Sequence, residues 1–281
     1  MKPALFDYVR PDSLQEALEV LARYGGEAEV IAGGQSLMPL LASRVRTPRV
    51  LIDIARIGAQ YATIHDEEGH LSIGALARHA DVIVDRSVVS ALPMLTHAGR
   101  SIGNRAIRNR GTFGGSLAFA DPVAEWPLCL VALGGTVELA STSRLRRVAA
   151  EDFLHGAFQT DCRPDELIIR AVSPLPRFAH FDEISARPTA PALASVAVAS
   201  AGQGQFRVAL GAVADRPILL EHAALAAFMP NPDWRAVRSL LEDEVGDRLP
   251  TSERSYRLHL ALALLRRAAR AYEEFTSHVR R

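Results

Sequence analysis

The sequence predicts an α+β fold in three parts, and three patterns support that prediction. Between residues 13 and 54, an amphipathic helical repeat is followed by two short apolar runs, which is typical of a small α/β unit. Farther along, apolar runs flank turn residues at 66–69 and again at 202–204, which indicates two antiparallel hairpins. The C-terminal tail repeats apolar residues every three or four positions, as an amphipathic helix does.

Composition excludes several classes of protein. The chain has 281 residues, of which 48% are hydrophobic, enough for well-buried cores. Lysine plus arginine and aspartate plus glutamate each number 32, so no net charge attracts the chain to nucleic acid. Cys129 and Cys162 are too few for an iron–sulfur cluster, and the nine histidines lack metal-ligand spacing. We therefore expect no metal centre in this chain.

Neither a leader nor a membrane span is expected. The start of the chain, MKPALFDYVRPDS, lacks the apolar core of a signal peptide. The longest apolar stretch, around Pro191–Ala201, is too short to cross a bilayer. These features predict a cytoplasmic protein.

The first predicted domain covers residues 1–57. Ser13 and Glu16 have capping-box spacing at the start of a helix that runs into Gly25. The following pattern predicts a strand at 29–32, a turn at 33–36, a short helix at 37–43 and a strand at 50–54.

The second predicted domain covers residues 58–175 and contains an unusual loop. Residues 103–116 combine four glycines with three arginines and lack apolar periodicity. A loop of this length inside a compact domain is usually functional. Around it we expect a hairpin of strands 61–65 and 70–74, helical sequence at 77–101, a helix at 121–133 and a strand at 136–140.

The third predicted domain covers residues 176–281. The polar, proline-rich region near 160–191 has no pattern that assigns an element. Strands at 193–200 and 205–213 are expected to pair about Gly202-Gln203-Gly204. The tail helix places its apolar residues on one face: Leu258, Ala261, Leu262, Leu265, Ala268, Ala269 and Tyr272.

Two glycine-rich loops are candidates for binding an anion. One is Ala32–Ser36 after a strand, and the other is Thr112–Ser116 before a helix. Glycine lets a backbone approach a ligand closely, and several free amides pointing into one space suit a diphosphate. Each loop alone is more often a plain turn, and neither matches the Rossmann or P-loop spacing.

Longer strings narrow the interpretation. The segments VIAGGQSLMPLL at 30–41 and IRNRGTFGGSLAFADPVAEWP at 107–127 resemble paired signatures of the FAD-binding medium subunit of molybdenum hydroxylases. That family includes carbon monoxide dehydrogenase and the flavin domain of xanthine dehydrogenase. The resemblance also covers VLIDI at 50–54, LSIGALARHADV at 71–82 and FRVALGAVADRP at 206–217, in matching order along the chain.

The resemblance implies that FAD lies extended between the first two domains. Its diphosphate would be held by Ala32, Gly33, Gly34, Gln35, Ser36 and Leu37 on one side and by Thr112, Gly114, Gly115 and Ser116 on the other. Glu125 falls where relatives usually carry an aspartate that hydrogen-bonds the cofactor, and Asp121 belongs to the same motif. Ile102 and Ile169 fall at positions that line the flavin or adenine in relatives, but both fit core positions equally well.

This chain departs from the family pattern at several positions. Ser116 replaces a usual asparagine or aspartate, and Phe119 replaces a frequent histidine. In the segment 181–199, Glu183 occupies the position of a lysine and Ala190 that of an aspartate. A lysine near the flavin would stabilise the negatively charged reduced ring, whereas a glutamate would oppose that charge unless protonated or turned away.

The resemblance also implies partner chains. A large subunit would carry the molybdenum cofactor and oxidise the substrate, and a small subunit would carry [2Fe–2S] clusters, in a dimer of heterotrimers. Electrons would pass through FAD to an external acceptor, so no catalytic acid or base is expected here. Two alternatives stay open: an FAD-binding structural subunit or free-standing flavoprotein, and a nucleotide-binding domain without flavin.

Other polar residues have less specific interpretations. Ser36 and Ser116 lack a nucleophile-elbow pattern, so a hydrolase is disfavoured. Arg105, Arg108 and Arg110 form either a solvated loop face or a group that steers an anionic partner or the cofactor phosphates.

Overall fold

A small parallel sheet forms the first part of the chain. The computed structural model describes residues 2–202, 204–249 and 252–279. The sheet has the strand order β1-β3-β2, and the helix α1 packs its apolar face on it. The elements are β1 (Asp7–Val9), α1 (Leu14–Tyr24), β2 (Ala28–Ile31), α2 (Leu37–Ala42) and β3 (Val50–Asp53). As predicted, the Ser13 hydroxyl caps α1 by accepting from the Glu16 amide at 3.2 Å.

A five-stranded antiparallel sheet organises the second part, in the order β4-β5-β10-β6-β7. Its strands are β4 (Ile64–Glu67), β5 (His70–Gly74), β6 (Thr136–Ala140), β7 (Leu145–Ala149) and β10 (Leu167–Pro174), with β8 (Leu154–Gly156) and β9 (Gln159–Thr160) forming a separate ribbon. The helices are α3 (His79–Val84), α4 (Arg86–Ala91), α5 (Pro93–Ser101), α6 (Arg105–Arg108), α7 (Phe113–Phe119), α8 (Glu125–Leu133) and α9 (Ala150–Phe153).

In the described residues of the third part, a four-stranded antiparallel sheet is accompanied by three α-helices. The elements are β11 (Phe178–Ser185), β12 (Ala192–Gly202), β13 (Gln205–Gly211), β14 (Ile218–Leu220), α10 (His222–Ala227), α11 (Trp234–Val245) and α12 (Arg254–Val279). The predicted apolar face of α12 is buried as far as Ala269. The predicted hairpin of β12 and β13 is present, although Gln203 of its turn lies outside the described residues.

The helix α8 joins the second and third parts into one core. Every residue from Trp126 to Leu133 is buried, which fits a helix that is apolar all round. On one side α8 packs on α5, and on the other it packs on β12 and β13, where Ala197 and Ala209 belong to the same apolar cluster. The α+β fold class is confirmed, whereas the domain limits 1–57, 58–175 and 176–281 stay a prediction.

Several expected elements differ from the observed ones. The region 160–191 contains two eight-residue strands, β10 and β11. The sequence did not predict these strands, because polar residues interrupt their apolar alternation. In the sheet such residues form ion pairs, as Arg170 of β10 does with Glu138 of β6. Residues 103–116 are not one loop, since α6 and the start of α7 interrupt them. The first strand of the β4–β5 hairpin begins at Ile64, and the helix expected from residue 121 begins at Glu125.

Within the three described stretches of the chain, no helix combines the length and the apolar character that crossing a membrane requires.

Candidate functional site

The two glycine loops lie in direct contact. Gly33 is buried, and a Cβ built on it would overlap the carbonyl oxygen of Arg110 and lie 2.8 Å from the Cα of Gly111. No side chain fits at Gly33, because the backbone of the second loop occupies the space. The two loops, which are about eighty residues apart in sequence, therefore form one surface.

The first loop presents unpaired backbone amides. Among the described residues, the amides of 33–36 donate to no other group of the chain. Gly34 has φ +73°, a left-handed conformation that glycine adopts without strain. The Ser36 hydroxyl does not cap α2, because it accepts no hydrogen bond from an amide in the first turn of that helix. Several amides and a hydroxyl on one short turn suit an anionic group such as a diphosphate.

The second loop differs from the prediction of free amides. The Phe113 amide donates to the carbonyl oxygen of Ala77, and the Gly114 amide donates to that of Ala75, both at 2.9 Å. The Gly115 amide donates to the Thr112 hydroxyl, which is the N-cap of α7. These bonds anchor the loop to the chain that follows β5. Thr112 is buried, so its hydroxyl serves the cap.

A buried pair of rings supports the second loop from behind. The Trp126 indole donates from Nε1 to Nδ1 of His79 at 2.9 Å, and both residues are buried. The other side of the imidazole packs against Gly111, where a Cβ would lie 2.5 Å from Nε2. Burial lowers the pKa of His79 to about 4, so the ring is neutral at pH 7. Sequence reasoning missed this support because the two rings lie 47 residues apart.

Acidic side chains meet at the start of α8. Burial is the main cause that raises the pKa of Glu125 to about 8, and the nearby carboxylates of Glu183 and Asp121 add to it. Burial also raises the pKa of Glu183, whose Oε2 is a buried oxygen without a hydrogen-bond partner in the described part of the chain. Asp121 accepts a hydrogen bond from the Val123 amide and thereby fixes the turn before α8. Glu183 is thus close enough for its charge to raise the pKa of Glu125, the residue that the resemblance assigns to the cofactor.

The two apolar candidates pack in cores. Ile102 follows α5 and is buried in the cluster around α8. Ile169 is half-buried against the cluster of the first part, and its carbonyl oxygen accepts from the Ala75 amide at 3.0 Å. A role for either side chain toward FAD stays a prediction.

One of the three loop arginines has a structural partner. Arg108 Nη1 donates to the carbonyl oxygens of Ile102 at 3.0 Å and of Gly103 at 2.7 Å, at the C-terminal end of α5. Arg108 therefore closes a helix end. Arg105 and Arg110 have exposed side chains.

Comparison with known proteins identifies the family. Residues 4–176 match the family described as the FAD binding domain in molybdopterin dehydrogenase. The chain belongs to this family. A molybdenum hydroxylase FAD subunit of this kind is an oxidoreductase subunit, and FAD is its cofactor.

Relatives of this FAD subunit cover much or nearly all of its length. The carbon monoxide dehydrogenase medium chain of Afipia carboxidovorans is 30% identical over 279 residues, which is 95% of this chain and 96% of the relative. The glyceraldehyde dehydrogenase medium chain of Sulfolobus acidocaldarius is 38% identical over 77% of this chain and 79% of the relative. The alpha subunit of the 6-hydroxypseudooxynicotine dehydrogenase complex of Paenarthrobacter nicotinovorans is 43% identical over 66% of this chain and 64% of its own.

Solved structures share the fold of the FAD subunit. A chain of quinoline 2-oxidoreductase from Pseudomonas putida 86 superposes with a TM-score of 0.85 at 37% identity and covers 96% of this chain and 97% of its own. A chain of the Cu,Mo-containing CO dehydrogenase in its cyanide-inactivated form gives 0.86 at 30% identity, with 95% and 97% covered.

Proposed function

We propose that this FAD subunit is the electron-transfer subunit of a molybdenum hydroxylase complex. Electrons would enter from [2Fe–2S] clusters of a small partner chain and leave to an external acceptor through FAD bound at the two glycine loops. When bound, FAD supplies redox chemistry that no side chain of the protein offers. The observation that supports the proposal most is the row of free amides at 33–36, which lies against the second loop at Arg110 and Gly111.

The proposed work of this chain is binding and positioning. The amides of the first loop would hold the diphosphate, and Ser36 would add a hydroxyl to the same group. The bonded second loop would act as a rigid wall, because His79 and Trp126 support it from behind. Substrate oxidation belongs to the molybdenum-bearing chain in this proposal, so no catalytic acid or base is assigned here.

Partners and location are parts of the same proposal. Relatives named as medium chains and as a complex subunit support an assembly with a large and a small chain. We infer a dimer of heterotrimers in the cytoplasm.

A second candidate function rests on Glu183. The lysine that the resemblance implies here would favour negative charge on the reduced flavin. Glu183, whose charge raises the pKa of Glu125, would oppose that charge when ionised. A subunit with an altered redox role or a free-standing flavoprotein would tolerate this exchange.

Copurification separates these candidates. The full chain would be tagged in its native host, captured in mild buffer and assayed for flavin, molybdenum and iron. The electron-transfer proposal predicts capture of two further chains together with all three cofactors. A stable flavoprotein without molybdenum or iron would support the second candidate, and a colourless protein without flavin would contradict both.

A further inference from the structure

Arg78 is a half-buried cation beside the two loops. It precedes α3, and in the described part of the chain its guanidinium forms no ion pair. Its Nη1 donates to the carbonyl oxygen of Arg110 instead. Burial, followed by the positive charge of Arg110, lowers the pKa of Arg78, although a guanidinium keeps its charge in proteins. Arg78 is therefore a partly desolvated cation that has no carboxylate partner among the described residues.

The position of this charge is fixed by backbone contacts. The Arg110 carbonyl that Arg78 binds is the same atom that excludes a Cβ at Gly33. The backbone of Arg78 also forms a β-bridge with Thr112. The guanidinium is thus attached at the point where the two loops touch, close to the free amides of 33–36.

Neighbouring carboxylates do not neutralise Arg78. Asp81 and Asp53 lie close enough to favour its charged form, but neither forms an ion pair with it among the described residues. The Asp53 carboxylate already accepts from the Tyr8 hydroxyl and from the Ala55 amide. The positive charges of Arg78 and Arg110 therefore oppose each other at the loop contact.

We propose that Arg78 is a binding residue for the diphosphate of FAD and supplies the charge that the neutral amides of the first loop lack. A guanidinium suits this role because its planar fork binds phosphate oxygens through charge-assisted hydrogen bonds. The inference rests on the proposed position of the diphosphate at the glycine loops.

The test separates recognition of phosphate from support of the loop. Full-length Arg78→Gln, Arg78→Lys and wild-type chains would be freed of flavin and titrated with FAD, ADP and riboflavin. Arg86→Gln is the matched control, because Arg86 is an exposed arginine at the start of the next helix. Thermal unfolding would verify that each variant is folded.

Loss of a charge-assisted contact should weaken FAD and ADP binding about 10- to 100-fold in Arg78→Gln. Riboflavin, which has no phosphate, should bind as in the control, and Arg78→Lys should recover part of the lost affinity. The affinity of wild type for FAD should also fall more steeply with added salt than that of Arg78→Gln.

Two results would overturn the role of Arg78. One is FAD affinity in Arg78→Gln equal to that of Arg86→Gln. The other is an equal loss for riboflavin and FAD, which would mean that Arg78 only shapes the loop. If the diphosphate does not lie at the glycine loops, a different result is expected, because the Gly34→Val variant would then keep its FAD.

Discussion

Glu183 stands at a position where the family resemblance predicts a lysine. Glu183 and Glu125 are both partly buried, and ionisation of both carboxyls together is unfavourable, since desolvation and their mutual repulsion oppose it. At neutral pH the pair therefore favours a state with at least one proton. The proton lowers the total negative charge that the two carboxyls present to the flavin.

Replacing Glu183 with lysine should raise the two-electron potential of bound FAD. The exchange alters the local charge by two units when Glu183 is ionised and by one unit when it is protonated, and one unit charge about 6 Å away is worth roughly 3 kcal/mol at an effective dielectric near 20. Solvent screening reduces that value, because Glu183 is only partly buried. Dye-equilibration titration measures the potential, and Glu183→Gln should give an intermediate value. An unchanged potential in a folded, fully loaded Glu183→Lys chain would mean that residue 183 points away from the flavin.

The buried His79 predicts a loss of stability in acid. Its pKa is about 4 in the folded chain and near 6.5 when unfolded, so the unfolded chain binds more protons between these values. The contribution of neutral His79 is fully present above pH 6.5 and is lost as the pH falls toward 4, by up to about 3 kcal/mol.

Urea unfolding of the flavin-free chain at several pH values measures this loss. His79→Asn is the informative variant, because an asparagine oxygen can accept from the Trp126 indole but does not titrate. Its free energy of unfolding should vary less between pH 6.5 and 4 than that of wild type. Parallel pH profiles for the two chains would contradict the assignment.

Residues that act through distant contacts could not be predicted from the sequence. The glycines at 33, 34, 114 and 115 are visible as a pattern, and Glu125 follows from family resemblance. The support of Gly111 by His79 and Trp126, and the bond of Arg78 to Arg110, depend on segments that meet only in the fold. No local spacing encodes such contacts.

The first glycine loop and the second have different structural roles. The first loop keeps its amides free and contains a left-handed glycine, whereas the second uses its amides to hold α7 against the end of β5. Their glycines should therefore fail for different reasons when substituted.

Gly34→Val and Gly115→Val should each remove FAD while leaving much of the fold intact. At Gly34 the valine meets a left-handed backbone and lies close to Ile31 and Met38, and strain of this kind costs about 1–3 kcal/mol. At Gly115 a Cβ would lie 2.6 Å from the Thr112 hydroxyl and disturb the cap of α7. The ratio of flavin to protein absorbance after purification measures occupancy.

Gly69→Val is the matched control for Gly34→Val. Gly69 has φ +87° in the β4–β5 turn, and a Cβ at this position would have no neighbouring atom within 4 Å, so the variant has backbone strain without altering a glycine loop. It should keep its FAD. Full flavin occupancy in both Gly34→Val and Gly115→Val would refute the assignment of the cofactor to these loops.

The sequence predicted elements best where periodicity and turn residues agree. The helix α1, the strand β5 and the long helix α12 follow from such agreement. The strands β10 and β11 were missed because charged residues on them hide the apolar alternation. Arg170 of β10 pairs with Glu138 across the sheet, and Asp182 of β11 pairs with Arg267 of α12. Short helices such as α6 depend on a cap, here from Asn104, more than on an apolar face.

The helix α8 connects the proposed cofactor site with the third part of the chain. Glu125 begins this helix, Trp126 supports the second loop, and the following residues pack under β12 and β13. The all-apolar sequence of α8 predicted burial, but it could not specify which sheets cover it. The charge of Glu183 on β11 raises the pKa of Glu125 in the first turn of α8.

In the proposed function electrons pass through FAD bound at these loops, and a flavin-deficient complex is the sharpest test of that transfer. Complexes containing wild-type, Gly69→Val or Gly34→Val chains would be mixed anaerobically with the oxidisable substrate, and iron–sulfur reduction and acceptor reduction would be followed separately. We predict that the Gly34→Val complex still reduces its clusters but loses acceptor reduction, and that added FAD does not restore it at concentrations that saturate wild type. Undiminished acceptor reduction in a complex shown to lack flavin would mean that electrons reach the acceptor without FAD, and the proposed function would be wrong.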